Sequence, residues 1–161
     1  MRTTTLLVHL PATDPATGFG RIADFAAFPA LADDVRAVEV RTAPGPVRHS
    51  DWVVNFRRGL LRWTEREFVD AGRLRIEFEQ TAGDFAEFHG YWQLTGTAGG
   101  GCAVRFEVGY DFGIESLAGL MDPIAERVVT RVVCAVLAGL FGDITVIEGG
   151  EALADLSGRR G

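Results

Sequence analysis

Between residues 35 and 112, stretches of β-type sequence follow one another with only turn-forming breaks between them. The stretches are Val35–Thr42, Arg48–Arg57, Leu60–Asp70, Leu74–Thr81, Phe85–Thr95 and Ala103–Phe112. The breaks carry Pro44-Gly45-Pro46, Arg58-Gly59, Ala71-Gly72, Ala82-Gly83-Asp84 and Gly99-Gly100-Gly101. Breaks this short cannot house the crossover that a parallel pair needs, so successive strands must run antiparallel. An earlier strand, Thr3–Leu10, ends at Pro11. Asp14-Pro15 then offers an N-cap with proline in the first turn, predicting a short helix to about Phe25 and a second turn near Phe28–Ala32.

After Phe112 the apolar period becomes helical. Ile114–Met121 is expected to form a short helical piece, and Asp122-Pro123 to start a longer helix. Ala125, Val129, Val132, Val136 and Leu140 mark its apolar face as far as Phe141, with Gly142 as the stop. The expected architecture is α+β: a curved six- or seven-stranded antiparallel sheet wrapped around a long C-terminal helix, with two short helices after strand 1. Residues 1–148 should form this domain, and 149–161 a polar, flexible tail. A straight helix cannot fill a concave sheet, so a ligand-sized gap is expected between them.

Composition narrows the possible contents of that gap. A formal net charge of −6 argues against a nucleic-acid groove, which needs a basic field. Cys102 and Cys134 are too few and too scattered for a zinc cluster or a disulfide lattice, and read as reduced core residues. His9, His49 and His89 show no metal-ligand spacing, and Gly99–Gly101 sits between strands, not before a phosphate-binding helix. No metal and no cofactor is expected. The N-terminal residues lack a signal-peptide run, and Val128–Phe141 is too short and too charged to span a bilayer. The sequence therefore reads as a cytoplasmic protein without a membrane span.

Strand alternation assigns faces. Leu74, Ile76 and Phe78 point inward, as do Val104, Phe106, Val108, Tyr110 and Phe112. In Phe85–Thr95 the inward set is Ala86, Phe88, Gly90, Trp92 and Leu94; the outward set is Phe85, Glu87, His89, Tyr91 and Gln93. The difficult strand is GLLRWTEREFVD: if Arg62, Thr64 and Arg66 face water, then Leu61, Trp63, Glu65 and Glu67 face the gap. A carboxylate there is costly unless paired, hydrated or protonated, which makes Glu65 and Glu67 candidate functional residues. The alternative is a β-bulge or the end of the sheet that returns both to solvent. Arg127 and Arg131 share the helix side away from its apolar stripe and are read as solvated.

The order of elements resembles the helix-grip fold of START lipid-transfer domains, birch-pollen-allergen-like proteins and polyketide aromatase/cyclases. The strings FPALADDVRAVEV (28–40), NFRRGLLRWTE (55–65), FEQTAGDFAEFHGYW (78–92) and VRFEVGYDFGI (104–114) resemble bacterial polyketide cyclase/dehydrase-type members. The resemblance runs from about Thr3 to Ile147. It implies a cofactor-independent aldol cyclisation and dehydration of a polyketide, handed over by an acyl carrier protein. It also implies that Trp63 and Trp92 line the pocket, with Phe28 at its entrance. Departures accompany it: Val35 stands where that enzyme type has a pocket tyrosine, Glu65 and Glu67 where it has a serine and an arginine, and Phe78 where it has a second arginine.

The chemistry so implied needs a base for a proton α to a carbonyl and a donor to the developing oxyanion. Glu65 is assigned the acid/base role and Glu67 a tuning role, with Phe28, Trp63, Phe78, Phe88, Trp92 and Tyr110 as substrate-binding walls. Tyr110 has a hydroxyl to donate. The competing expectation is a non-catalytic carrier for a lipid, quinone or isoprenoid, which needs the same walls but no buried acid.

Overall fold

Alternation in the first strand carries through to burial: Thr4, Leu6, Val8 and Leu10 are buried, and the residues between them are partly open. The structure is a computed structural model in which residues 1–151 are described. Strand β1 (Arg2–Leu10) leads to α1 (Pro15–Ile22), a 3-10 turn (Phe25–Ala27) and α2 (Phe28–Leu31). Then come β2 (Val35–Arg41), β3 (Val47–Phe56), β4 (Gly59–Asp70), β5 (Arg75–Gly83), β6 (Glu87–Gly96) and β7 (Cys102–Asp111). Helix α3 (Glu115–Phe141) and strand β8 (Thr145–Glu148) complete the described chain. All pairings are antiparallel, in the order β2-β3-β4-β5-β6-β7-β1-β8. This is the helix-grip arrangement, with α3 lying across the concave face of the sheet.

Local chemistry explains the first helix. The Asp14 carboxylate accepts from the backbone N–H groups of Ala16 and Thr17, each at 3.2 Å, and Pro15 occupies the first turn. α1 ends at Ile22, short of Phe25, and its buried Phe19 and Ile22 join the core.

Three expectations are corrected. The helix does not restart at Asp122-Pro123: α3 runs unbroken for 27 residues with Pro123 inside it. An internal proline costs a helix roughly 3 kcal/mol. Met121 and Ile124 packed on the core, with buried Ala125 beside them, hold the backbone helical through it. Second, Phe85 is buried and Ala86 exposed, because both precede β6 and strand alternation does not apply to them. Third, Leu74 lies in the turn before β5, at φ 55°, and the sheet gains an eighth strand, β8. Of the expected tail, residues 152–161 lie outside the described residues.

Candidate functional site

The β3–β4 hairpin sets the site. Its turn is Arg57-Arg58, with Arg57 at φ 57°, and Phe56 pairs with Gly59. From that register Trp52 falls opposite Trp63, Ser50 opposite Glu65, and Arg48 opposite Glu67. Because partners across an antiparallel pair project to the same face, all six enter the concave interior. The indoles of Trp52 and Trp63 stack, with centroids 5.6 Å apart and planes within 5° of parallel. Phe25 and Phe28 meet Trp52 edge-on at 5.5 and 5.8 Å, and Phe28 meets Trp92 at 6.2 Å.

A β-bulge lies beside Glu65, but on the partner strand. Thr64 pairs with Ala82 and Glu65 with Gln80, leaving Thr81 unpaired on β5. The bulge therefore bends β5 and leaves β4 in register, so it does not carry the carboxylates outward. At the end of the bulged segment Gly83 adopts φ 152°, and a Cβ there would lie 2.5 Å from Trp63 Cβ. Only glycine lets β5 close against the β4 backbone at Arg62–Trp63. Glu65 is 3% exposed and Glu67 fully buried.

Hydrogen bonds account for both carboxylates. Glu67 accepts from Arg48 Nε at Oε1 (3.0 Å) and from Ser50 Oγ at Oε2 (2.8 Å). Ser50 Oγ in turn accepts from Trp52 Nε1 at 2.7 Å. Glu65 Oε1 accepts from Trp63 Nε1 at 2.8 Å. Burial pushes the Glu65 carboxyl well above the usual carboxylate range, and the neighbouring Glu67 pushes it further; the Trp63 N–H and the Arg48 charge act the other way. Arg48 lies over the Phe25 ring, 4.5 Å from its centroid. Its Nη2 is buried with no hydrogen-bond partner among the described residues, which costs about 1–3 kcal/mol.

The free space between sheet and α3 is about 90 Å³, bounded by Phe25, Phe28, Trp52, Trp63, Phe78, Phe88, Trp92, Phe106 and a valine face of α3. Glu65 is the one titratable side chain in that lining. A second space of about 50 Å³ adjoins it, sharing Val54, Trp63, Phe88, Val128 and Val129, with Tyr110 on its wall. A pocket for a drug-sized ligand usually spans roughly 300–1,000 Å³. The interior is thus a ring-lined slot, narrower than the curved sheet and straight helix suggest, and a large ligand must displace rings or α3 to fit.

Comparison with known proteins follows from this geometry. Residues 12–137 match the family described as polyketide cyclase / dehydrase and lipid transport. The chain belongs to this family. No curated protein matches the sequence. Among solved structures, TTHA0849 from Thermus thermophilus superposes with a TM-score of 0.76 at 23% identity, covering 96% of this chain and 99% of that one. The Zhui aromatase/cyclase from a Streptomyces species gives 0.69 at 18% identity, over 88% and 92%. A START superfamily protein from Mycobacterium smegmatis gives 0.71 at 13%, over 88% and 96%. At these identities the likeness is one of fold.

Within this family member the structure brings Glu65, Phe28, Trp63, Phe78, Phe88 and Trp92 together around the main cavity. Glu67 sits behind Glu65, outside that lining. Tyr110 is set apart: its hydroxyl donates to the Asp122 carbonyl (3.2 Å) and lies 3.3 Å from Thr4 Oγ1, and burial raises its pKa to about 12. Arg131 lies outside, paired with Asp34 at 2.6 Å. Sequence reading missed Arg48, Ser50, Trp52, Phe25 and Phe106 as parts of the site. Among the described residues no group of three or more His, Cys, Asp or Glu side chains is placed to hold a metal, and no helix is long and apolar enough to cross a membrane.

Proposed function

We propose that this chain is a cofactor-independent cyclase/aromatase that guides aldol cyclisation and dehydration of a polyketide, presented by an acyl carrier protein, inside the cavity. One observation carries the reading: a buried carboxyl, pushed above the usual carboxylate range by burial, is the sole titratable group in the lining of a ring-walled space. A carboxyl shifted this way is a candidate for proton transfer.

Glu65 begins protonated. Its proton passes to the ketone oxygen as the enol carbon of the same chain attacks the carbonyl carbon, forming the C–C bond and a hydroxyl. The former enol is left as a protonated carbonyl, its O–H proton passes to the Glu65 carboxylate, and the starting state is restored. Dehydration uses the same exchange: the proton leaves with the hydroxyl as water, and the α-proton returns to Glu65. Each cycle balances without an external acid. Trp63, Phe78, Phe88, Trp92 and Phe28, which is buried in the wall and not at its rim, hold the chain bent, and Glu67 keeps Glu65 basic enough to recover its proton. The test is cyclisation of a synthetic poly-β-ketone thioester by wild type and Glu65→Gln. Equal product from both removes Glu65 from the mechanism.

A second reading has its own support. A polyketide carries a carbonyl on every other carbon, yet the lining offers few polar groups beyond Glu65 and the indole N–H groups. A carrier for a lipid, quinone or isoprenoid needs no more than that, and the family's name includes lipid transport. Native mass spectrometry of freshly purified protein separates the two, since a retained apolar molecule in a chain that fails to cyclise favours carriage.

A further inference from the structure

The two carboxyl groups have four oxygens between them, and three already accept from protein donors. Arg48 Nε has no lone pair to accept with, so Glu67 Oε1 accepts. The Trp52 N–H likewise can only donate and takes one lone pair of the Ser50 hydroxyl, whose own proton is donated to Glu67 Oε2. The Trp63 N–H occupies Glu65 Oε1. The remaining oxygen is Glu65 Oε2. An ionised Glu65 would hold its charge on a single N–H donor, in an apolar lining, beside a second carboxylate. An ionised Glu67 has two donors, one of them a guanidinium.

We propose that Arg48 is a positioning residue which, with the Trp52–Ser50 relay, fixes Glu67 as the ionised member of the pair and so keeps the proton on Glu65, the member that faces the cavity. Arg48 is outside the cavity lining and acts chiefly through its bond to Glu67; its direct charge effect on Glu65, in the opposite sense, is the smaller one. Around the pair, β5 contributes Phe78 and Gln80, the 3-10 turn Phe25, α2 Phe28, and α3 its valines. None of these is charged. Glu67 and Arg48 are the charged groups that act on Glu65. The function of the arrangement rests on the acid/base reading of Glu65, but the location of the proton does not.

The test reads the proton directly. Wild type, Arg48→Gln and Ser50→Ala are prepared with carboxyl-labelled 13C-glutamate, and the two signals are assigned with Glu65→Gln and Glu67→Gln. At pH 7 wild type should show Glu65 at the protonated position and Glu67 at the ionised one. An opposite charge this close shifts a carboxyl by about 1–3 pH units, so in Arg48→Gln the step at which the pair takes its second proton should move up by that amount. Ser50→Ala keeps the guanidinium and should move the step the same way by less. If Arg48→Gln does not fold, Ser50→Ala decides. An ionised Glu65 at pH 7 in wild type overturns the proposal, as does a pair titration that neither variant changes. Cyclisation is assayed separately: the expected titration without ring formation sinks the cyclase reading and leaves this one standing.

Discussion

The two faces of β4 carry the same kinds of side chain to opposite ends. On the outer face Arg66 pairs with Glu79, both about half exposed. On the inner face Glu67 pairs with Arg48, at 0% and 14% exposure. Exposed pairs of this sort contribute about 0–1 kcal/mol, because water and salt screen them and both long chains must be held still. Inside, water is gone; each charge must find its partners in the protein or give up its charge. Glu67 finds two donors, one of them a guanidinium, and Glu65 finds a single indole N–H. Ion pairing on one face is decoration for the fold, and on the other it is what makes a buried carboxylate tolerable.

Predictions that break this comparison begin with the largest. Glu65→Gln should lower ring formation by about 10²–10⁴-fold, the usual worth of a general acid/base, while circular dichroism and melting temperature stay close to wild type. Next, Glu67→Ala should strand the buried Arg48 guanidinium and cost roughly 3–5 kcal/mol in urea unfolding. The pH dependence is smaller and follows from the raised Glu65 value. The folded state holds that proton more tightly than the unfolded one, so the stabilisation is complete below the ordinary value of 4.5 and is lost as pH rises through the folded value. Wild type should therefore lose stability relative to Glu65→Gln on going to alkaline pH, by at most about 1.4 kcal/mol per pH unit. A gap that stays constant with pH would mean that folding leaves the proton affinity of Glu65 unchanged. Smallest, Glu79→Ala on the outer face should cost under about 1 kcal/mol, and moderate salt should erase the difference. A loss as large as that of Glu67→Ala would show that the two faces are not distinct.

Much of the inner face was legible. The two-residue turn is Arg57-Arg58, one position before the Arg58-Gly59 break read from the sequence, so counting outward from that break would have set Trp52 opposite Glu65 and not opposite Trp63. Alternation on β3 places Trp52, Val54 and Phe56 on one side, the same signal that placed Trp63. The fate of Glu65 and Glu67 was less accessible. Both the inward and the solvent-reaching readings are consistent with β4 itself; what separates them is a bulge that falls on β5 at Thr81. Phe25 was beyond the strand argument altogether, since it arrives from a 3-10 turn after α1. Pro123 misled for a general reason: its local penalty is real, but core packing on either side outweighs it. The free volume, too, depends on how eight aromatic side chains and a valine face settle together, which no pattern of alternation encodes.

Every tryptophan in the chain, Trp52, Trp63 and Trp92, lies on the wall of the one cavity. Tryptophan emission, excited selectively above the tyrosine band, therefore originates at the site. A molecule that parts the Trp52–Trp63 stack, or a proton that leaves the acid bonded to Trp63, changes the colour and brightness of the whole signal. The chain carries its own optical gauge, and loading of the slot can be followed in a cuvette without a label.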